Sequence, residues 1–383
     1  MIYFDNAATG GRKPPAVLSA ACEAIQSANA NPGRSGHSLS VTLAENLLNC
    51  RKLLDDFFGG YGFERVIFTK NCTEALNAAI FGFARMGRAG PPHVLTTVME
   101  HNSVLRPLFA LERAGKIRLT LLHIDESGTV PAEAFARAAR EDTAAAVFTL
   151  ASNVTGAAID PAAVRAALPA PVLLMCDGAQ ACGHIPIDMR AQGIDALCVA
   201  GHKGMHGIAG SGALLFSDRF DPAPLLYGGT GSESANPDMP SFYPDRLEAG
   251  TLNYPAAMSL AEGAIYLTAH GKESETRILH MTETLCKGLA RIDDIRLFSL
   301  PNPFGIVAFR CNGLQSEFFA QELSDRYGIA VRGGLHCAPR MHAALGSADG
   351  GLVRASLSEF NTPREAALFL RAVQEIAGGA TSF

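Results

Sequence analysis

The chain has 383 residues, 48% of them hydrophobic and 18% charged, enough for a large core and for two packed units rather than one. Its 32 basic and 37 acidic residues give a formal charge of -5 with no basic block or acidic tail. That balance argues against nucleic acid or an anionic membrane surface as a partner and for small-molecule chemistry.

From the N-terminus, "MIYFDNAATG" carries Asp5 and no basic region ahead of an apolar run, so no secretory signal is expected. No apolar stretch approaches the roughly 20 residues that span a bilayer. Short β-rich runs then alternate with Ala-rich helical stretches: "RVIFT" (65–69), "HVLTTV" (93–98), "IRLTLLHI" (117–124), "AAVFTLAS" (145–152), "PVLLMCDG" (171–178), "ALCVAGHK" (196–203) and "GALLF" (212–216). The alternation predicts βαβ units, hence an α/β large domain with a mostly parallel sheet flanked by helices. The loop-like stretch "LLYGGTGSESANPDMPSFYPDRLEAGT" is longer than a passive connection, which makes it a functional candidate.

Beyond it the rhythm changes. A helix is predicted from about Pro255 to Leu289, then strands in "IRLFSL" and "GIVAFR", a helix near Ser316 to Tyr327, "GIAVRGG", and a last helix from about Pro363 to Ala377. This is a smaller α+β C-terminal domain. The boundary is placed inside the long helix, giving a large domain over 16–260 and a small one formed by 1–15 and 261–383. Nine cysteines without a CxxC pair, several in apolar runs such as Cys176 and Cys198, read as reduced thiols of a cytoplasmic protein.

The chemistry gathers after the strands. Asp177 of "CDGAQACGH" and Lys203 of "VAGHKGMHG" each follow a predicted buried strand. In an open parallel sheet, ligands bind beyond the carboxyl ends of the strands, so both would face one crevice. An amine and a carboxylate there suit pyridoxal phosphate, which needs a Schiff-base lysine and an acid beside its pyridine nitrogen. "TKNCTEALNAAI" offers Thr73, with backbone N–H groups at a helix start, to a phosphate. His101 of "MEHNSV" could lie against a ring and move protons near neutral pH.

"GLHCAPRMH" (334–342) is too rich in Gly and Pro for a regular helix and leaves Cys337 open to three readings: nucleophile, metal ligand or buried thiol. Arg332, His336, Arg340 and His342 crowd the segment and would favour a thiolate, while Gly333 and Gly334 would let the loop move. A metal would need three or four ligands with orienting neighbours. His336, Cys337 and His342, or the His202/His206 pair of "HKGMH", do not supply them convincingly, so none is expected.

Several stretches occur in one order along nearly the whole chain: "YFDNAATG", "NPGRSGHSLS", "TEALN", "MEHNSV", "ASNVTG", "DGAQ", "GHKG", "GGTGSES", "PDRLEAGT", "AVRGGLHCAP" and "RASLSEFNT". They resemble the class V, fold-type I pyridoxal-phosphate enzymes, and among these the cysteine desulfurase and selenocysteine lyase group. The resemblance implies pyridoxal 5'-phosphate as cofactor and L-cysteine or L-selenocysteine as substrate, with sulfur metabolism and iron–sulfur cluster assembly as the setting. It places the Schiff-base lysine on Lys203, the pyridinium partner on Asp177, the phenolic-oxygen contact on Gln180 and the stacking histidine on His101. Thr73 and His202 match phosphate contacts, and Thr251 one supplied by the neighbouring subunit, implying a homodimer with shared sites. Asn153 matches a residue near substrate and cofactor, and Arg354 the arginine that takes the substrate carboxylate. Arg332 and His37 join them on the substrate side.

Cys337 matches the cysteine that accepts sulfur as a persulfide. Only 16 residues separate it from Arg354, a short tether that resembles the group II desulfurases, which work with a sulfur-accepting partner. One position departs from the pattern: Ala200 stands where relatives usually carry Ser or Thr before "GHK", and Cys72 beside Thr73 is expected to help compensate. Two rivals follow. One is a class V transaminase, epimerase or C–S lyase that does not use Cys337; the other is a silent protein that kept the fold.

Overall fold

The computed structural model describes residues 1–383 except 28–29, 34, 88–89 and 381–383. In chain order the elements are β1 (Ile2–Tyr3), α1 (Pro15–Ser27), α2 (Ser38–Phe57), β2 (Val66–Thr69), α3 (Cys72–Ala84), β3 (His93–Thr97), α4 (Asn102–Arg113), β4 (Arg118–Leu122), α5 (Ala132–Ala138), β5 (Thr143–Thr149), α6 (Pro161–Ala167), β6 (Leu173–Asp177), α7 (Met189–Gln192), β7 (Ala196–Ala200) and β8 (Gly212–Phe216). There follow α8 (Tyr254–Leu289), β9 (Ile295–Leu297), β10 (Ile306–Cys311), α9 (Ser316–Tyr327), β11 (Ile329–Ala330), α10 (Pro339–Ala344), β12 (Val353–Ser356) and α11 (Pro363–Ala380).

The seven apolar runs before residue 217 form one seven-stranded sheet in the order β2-β8-β7-β6-β5-β3-β4. Strands β3 to β7 pair in parallel, and β8 enters antiparallel between β2 and β7. The central strands are buried along their whole length. A strand covered on both faces cannot carry solvated side chains, which is why these runs read as continuously apolar rather than alternating. Helix starts are set locally: Asn71 accepts from the Glu74 N–H at 2.9 Å ahead of α3, and Asn253 from the Ala256 N–H at 3.2 Å ahead of α8.

Helix α8, about 54 Å long by its 36 residues, serves two cores. Leu260, Ala264 and Leu267 pack with the large sheet, whereas Met281, Leu285 and Leu289 pack with β10 and β12. A Cβ at Gly263 would overlap the Met205 carbonyl, so glycine there lets the helix lie directly against the turn that follows β7. The smaller sheet has the order β12-β10-β9, and the N-terminal β1 crosses over to pair in parallel with β11.

Two expectations about the cysteine segment need correction. Residues 339–344 of "GLHCAPRMH" and its continuation are helical, because Pro339 opens α10, where its missing N–H and fixed φ do no harm. Gly333 and Gly334 do not act as a slack hinge: the Gly334 N–H donates to Ser316 Oγ at 2.9 Å, its carbonyl accepts from Leu352, and a Cβ at Gly333 would overlap the Ser316 carbonyl.

Candidate active site

The carboxyl ends of β3, β5, β6 and β7 and the start of α3 open on one cavity of about 210 Å³, closed from the other side by Arg332, His336 and Arg354. Asp177 ends β6, and Lys203 lies three residues past β7 on the neighbouring strand. Lys203 loses part of its hold on a proton through burial, with the Asp177 carboxylate opposing that loss. Asp177 is buried and accepts the Ala179 N–H at 2.9 Å and the Cys72 thiol at 3.4 Å.

His101 caps α4. Its Nδ1 accepts the Ser103 N–H at 3.1 Å and lies 2.7 Å from the Ser103 hydroxyl. A ring nitrogen that accepts a backbone N–H carries no proton, so neutral His101 keeps its proton on Nε2. Burial pushes its pKa down, against the pull of Asp177. Thr73 lies in the first turn of α3, whose leading N–H groups have no helical partner. His202 lines the same wall, its Nδ1 3.0 Å from Thr9 Oγ1, with its pKa pushed down to about 4 by burial and then by Lys203.

Arg354 is 1% exposed although it carries a guanidinium. Nη1 donates to the Asn153 carbonyl at 2.8 Å and Nη2 to Asp5 Oδ1 at 3.0 Å, while Nε is buried without a partner among the described residues. Asn153 in turn donates from Nδ2 to the His336 carbonyl at 2.7 Å. Arg332 joins the wall through its backbone, since it and Arg354 exchange N–H···O bonds of 3.1 and 2.8 Å.

Cys337 is exposed and stands just outside the lining, but its carbonyl accepts the Asn102 N–H at 2.8 Å, which docks the loop beside His101. His336 and Cys337 both have left-handed backbones, φ 49° and 57°. For residues with a Cβ this costs about 1 to 2 kcal/mol each, so neighbouring bonds must hold it. Of the other cysteines only Cys22 is exposed. The seven that remain are buried, and burial raises the pKa of every one of them.

Lys203, Asp177, Gln180, His101, Thr73, Cys72, His202, Asn153, Arg332 and Arg354 therefore share one cavity. Cys72 does so differently from expectation: its thiol turns back to Asp177 and the Cys198 carbonyl rather than outward. Thr251 and His37 are not brought there by their own chain. Thr251 lines a separate pocket with Thr69, Lys70 and Glu248, and His37 caps α2, its Nδ1 accepting from Ser40 at 3.2 Å.

Sequence reasoning passed over Asp5, the counter-ion of Arg354, and Glu100, a buried acid behind the wall. Glu100 accepts the Thr97 hydroxyl at 2.6 Å and has its pKa raised to about 8 by burial. Both sit inside the quoted stretches "YFDNAATG" and "MEHNSV", which was the available signal. Among the described residues no group of three or more His, Cys, Asp or Glu is arranged to hold a metal, and no helix is long and apolar enough to cross a membrane.

A parallel sheet with an amine, a buried carboxylate and a helix start around one cavity is an arrangement of the aminotransferase class-V kind. The family model for aminotransferase class-V matches residues 2–369, and the chain belongs to that family. Within it, the chain is 33% identical to a probable cysteine desulfurase of Methanothermobacter thermautotrophicus, over 98% of this chain and 95% of the relative. It is 30% identical to a probable cysteine desulfurase of Synechocystis, over 98% and 90%. The apo structure of the cysteine desulfurase from Thermococcus onnurineus superposes with a TM-score of 0.89 at 28% identity, covering 99% of this chain and 95% of that one.

Proposed function

We propose that this chain is a pyridoxal-phosphate-dependent cysteine desulfurase that converts L-cysteine to L-alanine and leaves the sulfur on Cys337 as a persulfide. The observation that carries the reading is the pairing of a cavity holding Lys203 and Asp177 on adjacent strands with an exposed thiol docked beside His101.

The donor set fits the cofactor. Lys203 would hold its aldehyde carbon, Asp177 its pyridine nitrogen, Gln180 its phenolic oxygen, and Thr73, His202 and the start of α3 its phosphate, with His101 against the ring. Bound there, the cofactor supplies an electron sink adjacent to the substrate α carbon. The hydroxyl missing at Ala200 leaves the phosphate to those other donors.

The unpartnered Arg354 Nε gives a substrate carboxylate a buried donor, and Arg332 stands at the same wall. Lys203, its pKa lowered by burial, has a larger fraction of free amine to take the α proton. The Cys337 thiolate attacks the substrate sulfur; the C–S bond breaks, its electron pair returns with a proton to the β carbon as alanine, and the enzyme thiol becomes S–SH. L-Selenocysteine would react in the same way.

The same reading makes the protein a cytoplasmic homodimer, its nine cysteines free. Thr251 and His37 would reach the partner's cavity, and a sulfur-accepting protein would unload Cys337. The boundary between the large domain, 16–260, and the small one, 1–15 with 261–383, lies within α8.

The test is alanine and sulfide release from L-cysteine, with and without reductant. Wild type should form both, and Cys337→Ser should lose persulfide. If the serine variant kept full turnover, the transaminase, epimerase or lyase reading would replace this one. Mixed Lys203→Ala and Thr251→Ala chains should regain activity if sites are shared, since one of the two mixed sites is then intact.

A further inference from the structure

The left-handed pair His336–Cys337 is gripped at both carbonyls, by Asn153 Nδ2 and by the Asn102 N–H. A third grip comes through a side chain. His336 turns inward, 3% exposed, and begins a hydrogen-bonded row that runs away from the cavity. Its Nε2 lies 3.3 Å from the Arg332 carbonyl and its Nδ1 3.3 Å from Nε2 of His342, and Nδ1 of His342 lies 2.9 Å from Ser347 Oγ. The two rings are stacked, with centroids 5.4 Å apart and planes 27° apart.

The direction of this row is fixed at one end. A carbonyl only accepts, so His336 must carry its proton on Nε2, and a neutral ring then presents a lone pair at Nδ1. His342 must therefore donate from Nε2, which leaves its own Nδ1 to accept the Ser347 hydroxyl. The Ser347 hydroxyl also lies 3.4 Å from the His342 carbonyl, but the Ser347 backbone N–H serves that carbonyl at 2.9 Å and the ring nitrogen, at 2.9 Å, is the nearer acceptor for the hydroxyl proton. The row requires a neutral His336, and a neutral His342 is what lets the Ser347 hydroxyl donate to it. Their burial favours that form, since both pKa values are pushed down, that of His336 to about 2.

We propose that His342 and Ser347 are positioning residues for the sulfur-accepting thiol: the directed row from Ser347 through His342 and His336 to the Arg332 carbonyl holds the left-handed turn that presents Cys337. This rests on reading Cys337 as the acceptor. Neither residue touches the cavity, and the Arg354 guanidinium is held separately by the Asn153 carbonyl and Asp5, so losing the row acts through His336 on the thiol: turnover falls while substrate affinity stays.

The experiment compares His342→Leu, His342→Gln, Ser347→Ala and Cys337→Ser as holoenzymes, reading kcat, KM and persulfide. His342→Leu should lower kcat about tenfold or more with KM within about twofold. His342→Gln, whose amide N–H can donate to His336 Nδ1, should recover most of that loss, and Ser347→Ala should show a smaller drop of the same kind. Nitrogen NMR of histidine-labelled wild type should show both rings protonated at Nε2, a result independent of whether any variant folds. Cys337→Ser that keeps persulfide would sink the acceptor reading. Cys337→Ser without persulfide, combined with an unimpaired His342→Leu, an equally impaired His342→Gln, or Nδ1-protonated rings, would overturn the positioning role.

Discussion

Replacing Asp5 with Asn isolates the carboxylate paired with Arg354. The pair lies at 3.0 Å, with the arginine side chain 1% exposed and the aspartate 23%. At an effective dielectric of about 20, unit charges about 4 Å apart attract by about 4 kcal/mol. The partly solvated aspartate brings this to roughly half, about 2 kcal/mol, and asparagine keeps the hydrogen bond but not the charge. Urea unfolding of Asp5→Asn should therefore show a folding equilibrium weaker by about 30-fold. The same change leaves Arg354 without a competitor for anions, so carboxylate ligands should bind more tightly. Saturating L-alanine, added to the unfolding series, should recover more stability in the variant than in wild type. An unchanged midpoint, or weaker carboxylate binding in the variant, would refute the assignment of Asp5 as the resting counter-ion of a carboxylate-binding arginine.

Other substitutions probe the frame. Arg51 and Glu248 form a buried bidentate pair with bonds of 2.8 and 2.6 Å, and Glu248 also accepts the Phe68 N–H at 2.7 Å; Glu248→Ala should cost about 3 to 5 kcal/mol by denaturant titration. Glu100 has a folded pKa of about 8, above its unfolded value, so wild type should lose stability as pH rises from about 4.5 to about 8. Glu100→Gln, which stays neutral, should flatten that slope; an identical slope in both proteins would contradict a protonated Glu100. His93, bonded to the Thr143 and Thr120 hydroxyls, and His184 have pKa values of about 4, below the unfolded value near 6.5. The unfolded chain takes up their protons first, so their contribution is intact above about pH 6.5 and is lost as pH falls toward about 4. Unfolding free energies measured across that range in wild type and His93→Gln should differ in slope.

Much of the large sheet was legible because both faces of its central strands are buried, which turns "VLLMC" or "ALCVA" into unbroken apolar runs. Strand β12, "VRAS", was not, since its buried charge breaks the apolar pattern and Arg354 is tolerated only because Asp5 and the Asn153 carbonyl reach it. Strand β1 is two residues long and exists through its partner β11. At the site, residues just past strand ends were legible because topology alone brings them together. The direction of the Cys72 thiol is a rotamer choice, invisible in a string of letters. Thr251 and His37 mark a different limit: a motif gives an order along the chain, not which positions the chain brings to one cavity. Pro339 was read as a breaker where it begins a helix, since the same ring that ends one helix suits the first turn of another.

The distribution of thiols has a consequence for selectivity. Sulfane sulfur passes readily between thiolates, so a protein that carries it on one cysteine risks scattering it over the rest. Here seven cysteines are buried with raised pKa values, which keeps them protonated and out of exchange, and only Cys22 shares the surface with Cys337. The folded chain thus insulates seven of its nine thiols, and a thiol reagent applied to native protein should count two sites, falling to one in Cys22→Ser. Loss of tertiary structure would abolish that insulation before any residue of the site itself was altered.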